Sequence, residues 1–154
     1  MIQVLALFFS LTALTAIPNQ DNIKELRTLF YSAAEDSGFS TTLFDKLSTV
    51  NDNSAPILQG YKGMSYLLEA KHSYNIYKKY SYFSKGADIL DVAIAKGPNN
   101  RELRFLRYSV QNNAPKFLGY YEEIANDKKI ILANLANESD DDLRKKIVEY
   151  LKPK

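Results

Sequence analysis

The residues best suited to acid–base or metal chemistry are few and scattered along the chain. His72 is the only histidine and there is no cysteine, which argues against a Ser-His-Asp triad, a thiolate nucleophile or a histidine-rich metal site. Glu69 and His72 form one Glu-x-x-His step, whereas a carboxylate-bridged di-iron bundle needs two such steps. Glu122 and Glu123 are adjacent, so they point in different directions on a helix. The sequence therefore predicts no catalytic residue, no metal ligand and no cofactor.

A stretch of aromatic residues interleaved with lysines suggests binding instead. Its rings are Tyr74, Tyr77, Tyr80, Tyr82 and Phe83, and its cations are Lys71, Lys78, Lys79 and Lys85. Aromatic rings stack on bases, sugars or other rings, and ammonium groups interact favourably with ring faces. The alternative is that half of these rings pack between helices while the lysine stems lie along them. We select Tyr77, Tyr80 and Tyr82 as candidate binding residues.

A second candidate is a stripe of arginines further along the chain. Arg101, Arg104 and Arg107 follow one another at steps of three, and Gln111 continues the stripe. On a helix this spacing places the side chains on one face, where guanidinium groups could bind a carboxylate or a phosphate. The alternative is intramolecular pairing with Glu102, Glu122, Glu123 or Asp127. We select Arg104, Arg107 and Gln111 as the other half of the candidate site.

The composition indicates one ordinary folded domain. The chain has 154 residues, of which 45% are hydrophobic and 25% charged, so a single hydrophobic core is expected. The formal net charge is only +2, which gives no reason to propose a nucleic-acid partner.

Residues 1–17, MIQVLALFFSLTALTAI, form an uncharged apolar run that ends at Pro18. This profile is typical of a signal peptide, although no lysine or arginine precedes the run. The run is shorter than the ~20 residues of a membrane-spanning helix. An uncleaved anchor and a first core helix are the alternatives. We predict an exported protein, periplasmic or associated with the cell envelope, with residues 18–154 as a single domain.

Apolar residues that recur every three or four positions predict about seven helices after this leader and no strands. The stretch from Tyr74 to Ser84 is less regular and predicts a turn, with a fourth helix between Gly86 and Gly97. The expected helix starts are Ser40 or Thr41 for the second helix, Asn99 for the fifth, Phe117 for the sixth and Ser139 for the last. The short connections favour antiparallel neighbours. The predicted fold class is all-α, with helical hairpins stacked as an array or a compact bundle.

The hairpin from Pro56 to Gly97 resembles a tetratricopeptide repeat in its second helix. Gly86, Leu90, Ala93 and Pro98 stand at that repeat's spacing for two small residues, a bulky contact and a closing proline. The first helix departs from the pattern, because Gly63 lies about three helical turns too far upstream. The chain also resembles a group of small exported bacterial helical proteins with no assigned activity, over the segments GYKGMSYLLEAK, SYFSKGADILDVAI and PNNRELRFLRYSVQNNAPKFLGY. This resemblance implies a helical-hairpin fold and no site.

The leading functional hypothesis is a non-enzymatic interaction module of the bacterial cell envelope. Its groove would present Tyr77, Tyr80, Tyr82 and the Arg104/Arg107 stripe to a protein or peptide. One alternative is a carboxylate-dependent envelope enzyme acting on a glycan, which needs two facing acids about 5 to 9.5 Å apart. Another is a purely structural helical protein. No stable membrane span is expected if the leader is cleaved.

Overall fold

The computed structural model describes residues 20–133 and 135–153, and the predicted signal peptide lies outside them. Within these ranges the backbone is helical and contains no strand, which confirms the all-α prediction and its seven helices. The helices are α1 (Gln20–Glu35), α2 (Ser37–Lys46), α3 (Pro56–His72), α4 (Ile76–Lys96), α5 (Arg101–Asn113), α6 (Ile124–Leu132) and α7 (Asp141–Leu151), with 3₁₀ turns at Lys116–Leu118 and Leu135–Asn137.

The start of α2 is fixed by an aspartate rather than by the predicted serine or threonine. The Asp36 carboxylate accepts hydrogen bonds from the backbone N–H groups of Gly38 and Phe39, at 2.8 and 3.2 Å. Such a cap contributes about 1 kcal/mol. Ser40 instead lies buried within the helix, where its hydroxyl donates to Glu69. The prediction of Ser40 or Thr41 as the first residue was therefore wrong by about one turn.

Two further helix starts differ by one residue from the prediction. Asn100, not Asn99, caps α5 by accepting from the N–H of Leu103 at 3.0 Å. Asp140, not Ser139, caps α7 by accepting from the N–H of Leu143 at 3.0 Å. In each pair two neighbouring polar residues are both good caps, so composition alone does not decide between them.

Helix α4 begins at Ile76, in the stretch for which the sequence predicted irregular backbone. Asn75 caps it by accepting from the N–H of Lys78 at 2.9 Å. The turn is confined to residues 73–75. An apolar stripe appears only where a helix faces a core, and the exposed first turns of α4 have no such face. The turn predicted within the stretch from Tyr74 to Ser84 is therefore present at its start, whereas the prediction that the fourth helix begins only near Gly86 was wrong for this reason.

The sixth helix begins later than predicted. Lys116–Leu118 forms a single 3₁₀ turn that ends at Gly119, whose φ of 70° is left-handed. A left-handed residue terminates a helix, and glycine adopts this conformation without steric penalty. The α-helix therefore starts only at Ile124, so Phe117 and Tyr121 are not part of it.

Consecutive helices pack as hairpins, and the first helices of successive hairpins touch. The pairs α1 with α2, α3 with α4 and α5 with α6 are in contact, as are α1 with α3 and α3 with α5. The ends of α1 and α3 lie side by side, because the His72 imidazole is hydrogen-bonded to the Ala33 carbonyl oxygen at 2.8 Å. The arrangement is compatible with a helical-hairpin array.

The closest approach within the α3–α4 hairpin is made by two glycines. A Cβ added to Gly86 would lie 2.7 Å from the Gly63 carbonyl oxygen, and one added to Gly63 would lie 2.8 Å from the Gly86 carbonyl oxygen. Neither side chain fits without a shift of backbone. In comparison with the tetratricopeptide pattern, Gly63 lies too far upstream. The two glycines are nevertheless almost equally far in sequence from the turn at residues 73–75, so they lie opposite each other in the hairpin.

Two hydrophobic clusters hold the helices together, and α5 contributes to both. The main cluster takes residues from all five helices α1, α2, α3, α4 and α5. It includes the fully buried Leu43, Tyr61, Leu90 and Leu103. Each such side chain contributes about 1.5 to 3 kcal/mol by its burial. The second cluster joins the other side of α5 to α6 and α7 through Phe105, Tyr108, Ile131, Leu143 and Ile147. Among the described residues, no helix is both long and apolar enough to cross a bilayer.

Candidate functional site

The aromatic and lysine stretch forms the free end of the α3–α4 hairpin. We call residues 74–81 the hairpin tip. Every one of these eight residues is exposed. The exposed fraction is 86% for Tyr77 and 65% for Tyr80, and Tyr74 and Ile76 beside them are also exposed. Two of the three predicted tyrosines therefore lie on a solvent-facing surface with further apolar residues.

The tip projects because α4 is longer than its next neighbour. Helix α4 has 21 residues and α5 has 13, so α4 is roughly 12 Å longer at 1.5 Å per residue. The segment that follows α5 meets α4 directly below the tip, where the rings of Tyr120 and Phe83 are 5.9 Å apart. Beyond that level, residues 76–81 cover the full circumference of the helix and all are exposed.

Tyr82 belongs to a half-buried aromatic cluster at the base of the tip. Its ring stacks on Phe44 of α2 at 6.1 Å and meets Tyr66 of α3 edge-on at 5.6 Å. The ammonium groups of Lys78 and Lys85 lie over the rings of Tyr82 and Tyr66, at 5.0 and 4.8 Å. Tyr82 thus fits the alternative in which a ring packs between helices and lysines lie along it.

The arginine stripe is engaged within the protein. The completely buried Asp127 of α6 accepts from Arg107 at 2.7 and 2.8 Å and from Arg104 at 3.1 Å. Arg107 also pairs with Asp91 at 3.0 Å and with Glu123 at 3.3 Å. These contacts match the predicted alternative of pairing with Asp127 and Glu123. They leave neither guanidinium directed into an open groove.

The remaining residues of the stripe, Arg101 and Gln111, also interact within the protein or lie buried in it. Arg101 pairs with Glu138 and donates to the Ala133 carbonyl oxygen. Gln111 is buried, and within the described ranges its Oε1 accepts no hydrogen bond. The structure therefore separates the candidate residues into an exposed aromatic tip, with Tyr77 and Tyr80, and a buried polar cluster, with Arg104 and Arg107.

Burial and charge shift the pKa values in this polar cluster. Burial alone would lower the pKa of Arg107, but the carboxylates of Asp127 and Asp91 outweigh it and raise the pKa above its ordinary value. Burial raises the pKa of Tyr120, and the nearby Asp91, which accepts from its hydroxyl at 2.9 Å, raises it further. The arginine is thus held charged and the tyrosine neutral, which suits a structural cluster better than proton transfer.

A second polar cluster was missed by the sequence analysis. Arg27 of α1 is only 2% exposed and donates to both carboxylate oxygens of Glu102 at 2.8 and 3.0 Å. It also pairs with Asp140 at 2.8 Å and Asp142 at 2.5 Å, while the Tyr61 hydroxyl donates to Glu102 at 2.5 Å. We call these five residues the Arg27 cluster. One signal could have revealed it, because Arg27 falls on the apolar stripe of its own helix.

The Glu-x-x-His step is part of the packing between helices. The Glu69 carboxylate accepts from the Ser40 hydroxyl at 2.9 Å, and His72 is bound to the backbone of α1. No group of three or more potential ligands in the described chain could hold a metal ion.

Two shallow depressions of the described surface lie elsewhere. One runs along α7 and the other lies between α1, α2 and α3, and neither is lined by a residue of the hairpin tip. Compared with models of known protein families, with curated proteins and with solved structures, the chain matches none of them.

Proposed function

We propose that the protein is a non-enzymatic interaction module of the bacterial cell envelope, built as a tetratricopeptide-like array of helical hairpins, and that it binds its partner through the hairpin tip. The proposal rests on one observation. Eight consecutive residues are exposed, and they include three tyrosines and one isoleucine.

Exposed apolar side chains that are neighbours, rather than single, mark interaction surfaces in soluble proteins. Tyr74, Ile76, Tyr77 and Tyr80 are such neighbours, since they occupy the turn and the first two turns of one helix. Tyrosine is also among the residues whose removal most weakens protein interfaces. The proposed binding surface has fewer residues than the groove predicted from the sequence. Arg104 and Arg107 are not part of it, because they contribute to the stability of the fold instead.

The alternatives from the sequence place the important residues elsewhere. A carboxylate-dependent enzyme acting on a glycan needs two facing acids with different proton affinities. The most buried carboxylate of the described chain, Asp127, instead accepts hydrogen bonds from two arginines. A purely structural protein would not need exposed rings at the tip.

The proposal can be tested by site-specific photo-crosslinking of the full chain in bacterial cells. A photoreactive phenylalanine analogue replaces Tyr77 at the tip or, as the matched control, Val148 on the outer face of α7, which is also exposed. We expect covalent adducts from position 77 and not from position 148. No adduct from position 77, or equal adducts from both positions, would contradict the proposed function.

A further inference from the structure

We infer that the hairpin tip binds the anionic surface of a lipid membrane. This inference rests on the proposed function, because it names the partner of the same surface. The sequence alone predicted a protein or peptide partner. The shape, the charge and the side-chain chemistry of the tip each favour a lipid headgroup layer.

The tip is convex. Residues 76–81 form the start of α4, and their side chains lie on all sides of the helix. All six residues are exposed. A peptide held by helices usually lies in a groove between them, where it buries its apolar face. The two depressions described above are lined by other residues, along α7 and between α1, α2 and α3. A protruding helix end can instead enter a soft interface, which closes around it.

The charge of the tip is of one sign. Residues 70–87 contain four lysines and no aspartate or glutamate. One of the four, Lys71, donates to the Ala34 carbonyl oxygen near the end of α1, so it belongs to the body of the protein. Lys78 and Lys79 are exposed within the tip. Each lysine close to an anionic leaflet is attracted to it.

The side chains combine apolar bodies with polar ends. Tyrosine is enriched at the interface between water and lipid, because its ring enters the acyl region while its hydroxyl stays with the headgroups. Lysine behaves in the same way, with its stem along the apolar layer and its ammonium at the phosphates. Ile76 supplies a purely apolar side chain at the foremost turn. Tyr74, Tyr77 and Tyr80 flank it.

The aromatic cluster at the base of the tip holds one ammonium group in place. Lys78 Nζ lies 5.0 Å from the centre of the Tyr82 ring, and that ring is itself stacked on Phe44. Lys85 is positioned in the same way over Tyr66, at 4.8 Å. Less side-chain entropy is lost when such a group meets an anion, because its position is already restricted.

The experiment uses a fluorophore that reports entry into lipid. The full chain has no cysteine, so a single Ser81→Cys substitution allows an environment-sensitive dye to be attached to the tip. The matched control carries the dye at Ala125→Cys on α6, which is also exposed. Because the dye reports its own surroundings, membrane contact by residues 1–17 does not imitate the signal.

We expect the dye at position 81 to brighten and shift to shorter wavelengths with vesicles of phosphatidylglycerol and phosphatidylcholine, and not with phosphatidylcholine alone. The dye at position 125 should not respond. Replacing Lys78 and Lys79 by glutamine should raise the lipid concentration for half-maximal response about 25-fold, from about fivefold for each lysine. The charge-matched control, Lys128→Gln with Lys129→Gln on α6, should leave it unchanged.

No response at position 81, or an equal response at positions 81 and 125, would overturn the inference. An unchanged response after loss of Lys78 and Lys79 would overturn its electrostatic part. Circular dichroism confirms that each variant is folded. The dye at position 81 could show no response to vesicles while position 77 crosslinks to a protein in cells. In that case the tip binds a protein, and the proposed function stands without the lipid partner. If both signals are absent, both proposals fail.

Discussion

Replacing Arg27 by methionine should strongly destabilise the protein. Methionine keeps much of the apolar volume of the arginine stem but supplies no hydrogen-bond donor. Glu102 would then keep only the hydroxyl of Tyr61 among the contacts of the Arg27 cluster. Asp140 and Asp142 would lose their ion pair with α1.

The size of the effect follows from the burial of each partner. Side chains of Arg27 and Glu102 are 3% and 8% exposed, and removing one member of so buried a pair costs about 3 to 5 kcal/mol. Asp140 and Asp142 are 19% and 33% exposed. Water screens them more, so each adds at most about 1 kcal/mol. We therefore expect a loss of about 3 to 7 kcal/mol in total, which is a large part of a typical stability.

The assay is urea unfolding at neutral pH, followed by circular dichroism, with the free energy of unfolding taken from linear extrapolation. Arg144→Met is the matched control, because Arg144 pairs with Asp141 one turn earlier at the surface. That exposed pair should change stability by about 0.5 kcal/mol or less. The double variant Arg27→Met with Glu102→Gln should recover about 2 kcal/mol relative to Arg27→Met, since it removes the buried charge.

A loss below about 1 kcal/mol for Arg27→Met would refute this reasoning, because a buried guanidinium with these partners cannot then be important for stability. Glu102→Gln alone completes the cycle, and an effect of the double variant equal to the sum of Arg27→Met and Glu102→Gln would also contradict the expectation. Additive effects would mean that Arg27 and Glu102 do not interact.

Three further outcomes are expected, each measured as the free energy of unfolding. Gly86→Ala should cost about 1 to 3 kcal/mol, because its Cβ would meet the Gly63 carbonyl oxygen at 2.7 Å, whereas Ser84→Ala on the exposed face should be neutral. Asp127→Asn should cost about 3 kcal/mol, because it leaves two arginines without their buried carboxylate. Burial alone would raise the pKa of Asp140, but Arg27 and the N–H of Leu143 outweigh it and lower the pKa below 3.8. The contribution of Asp140 to the free energy of unfolding should therefore be complete above about pH 5 and be lost as the pH falls below 3.8. Asp140→Asn should make this decline of stability with falling pH shallower.

The apolar stripes were sufficient to predict the helices that face the core. In α1, Ile23, Leu26 and Phe30 recur at helical spacing, and all three are buried. The same reasoning failed at the start of α4, because a helix surrounded by water needs no apolar face. It also failed at Arg27, because a charged residue on such a stripe is ordinarily taken as an interruption. Only its partners, which lie far away in the sequence, make its burial possible.

The candidate site could be predicted only in part for a similar reason. Tyr77 and Tyr80 were selected from residue type and spacing, and both are exposed. Arg104 and Arg107 were selected in the same way, but α6 places Asp127 against them. Sequence spacing shows which side chains share a helix face. It does not show which neighbouring helix covers that face.

The Arg27 cluster also bears on the order in which a newly made chain can complete its fold. Synthesis proceeds from the N-terminus, so α1 leaves the ribosome long before Glu102, Asp140 and Asp142 have been added to the chain. Arg27 is separated from these three partners by 75, 113 and 115 residues. During elongation its guanidinium must remain hydrated. The first of the described helices can thus settle into its final place only after the last of them has emerged.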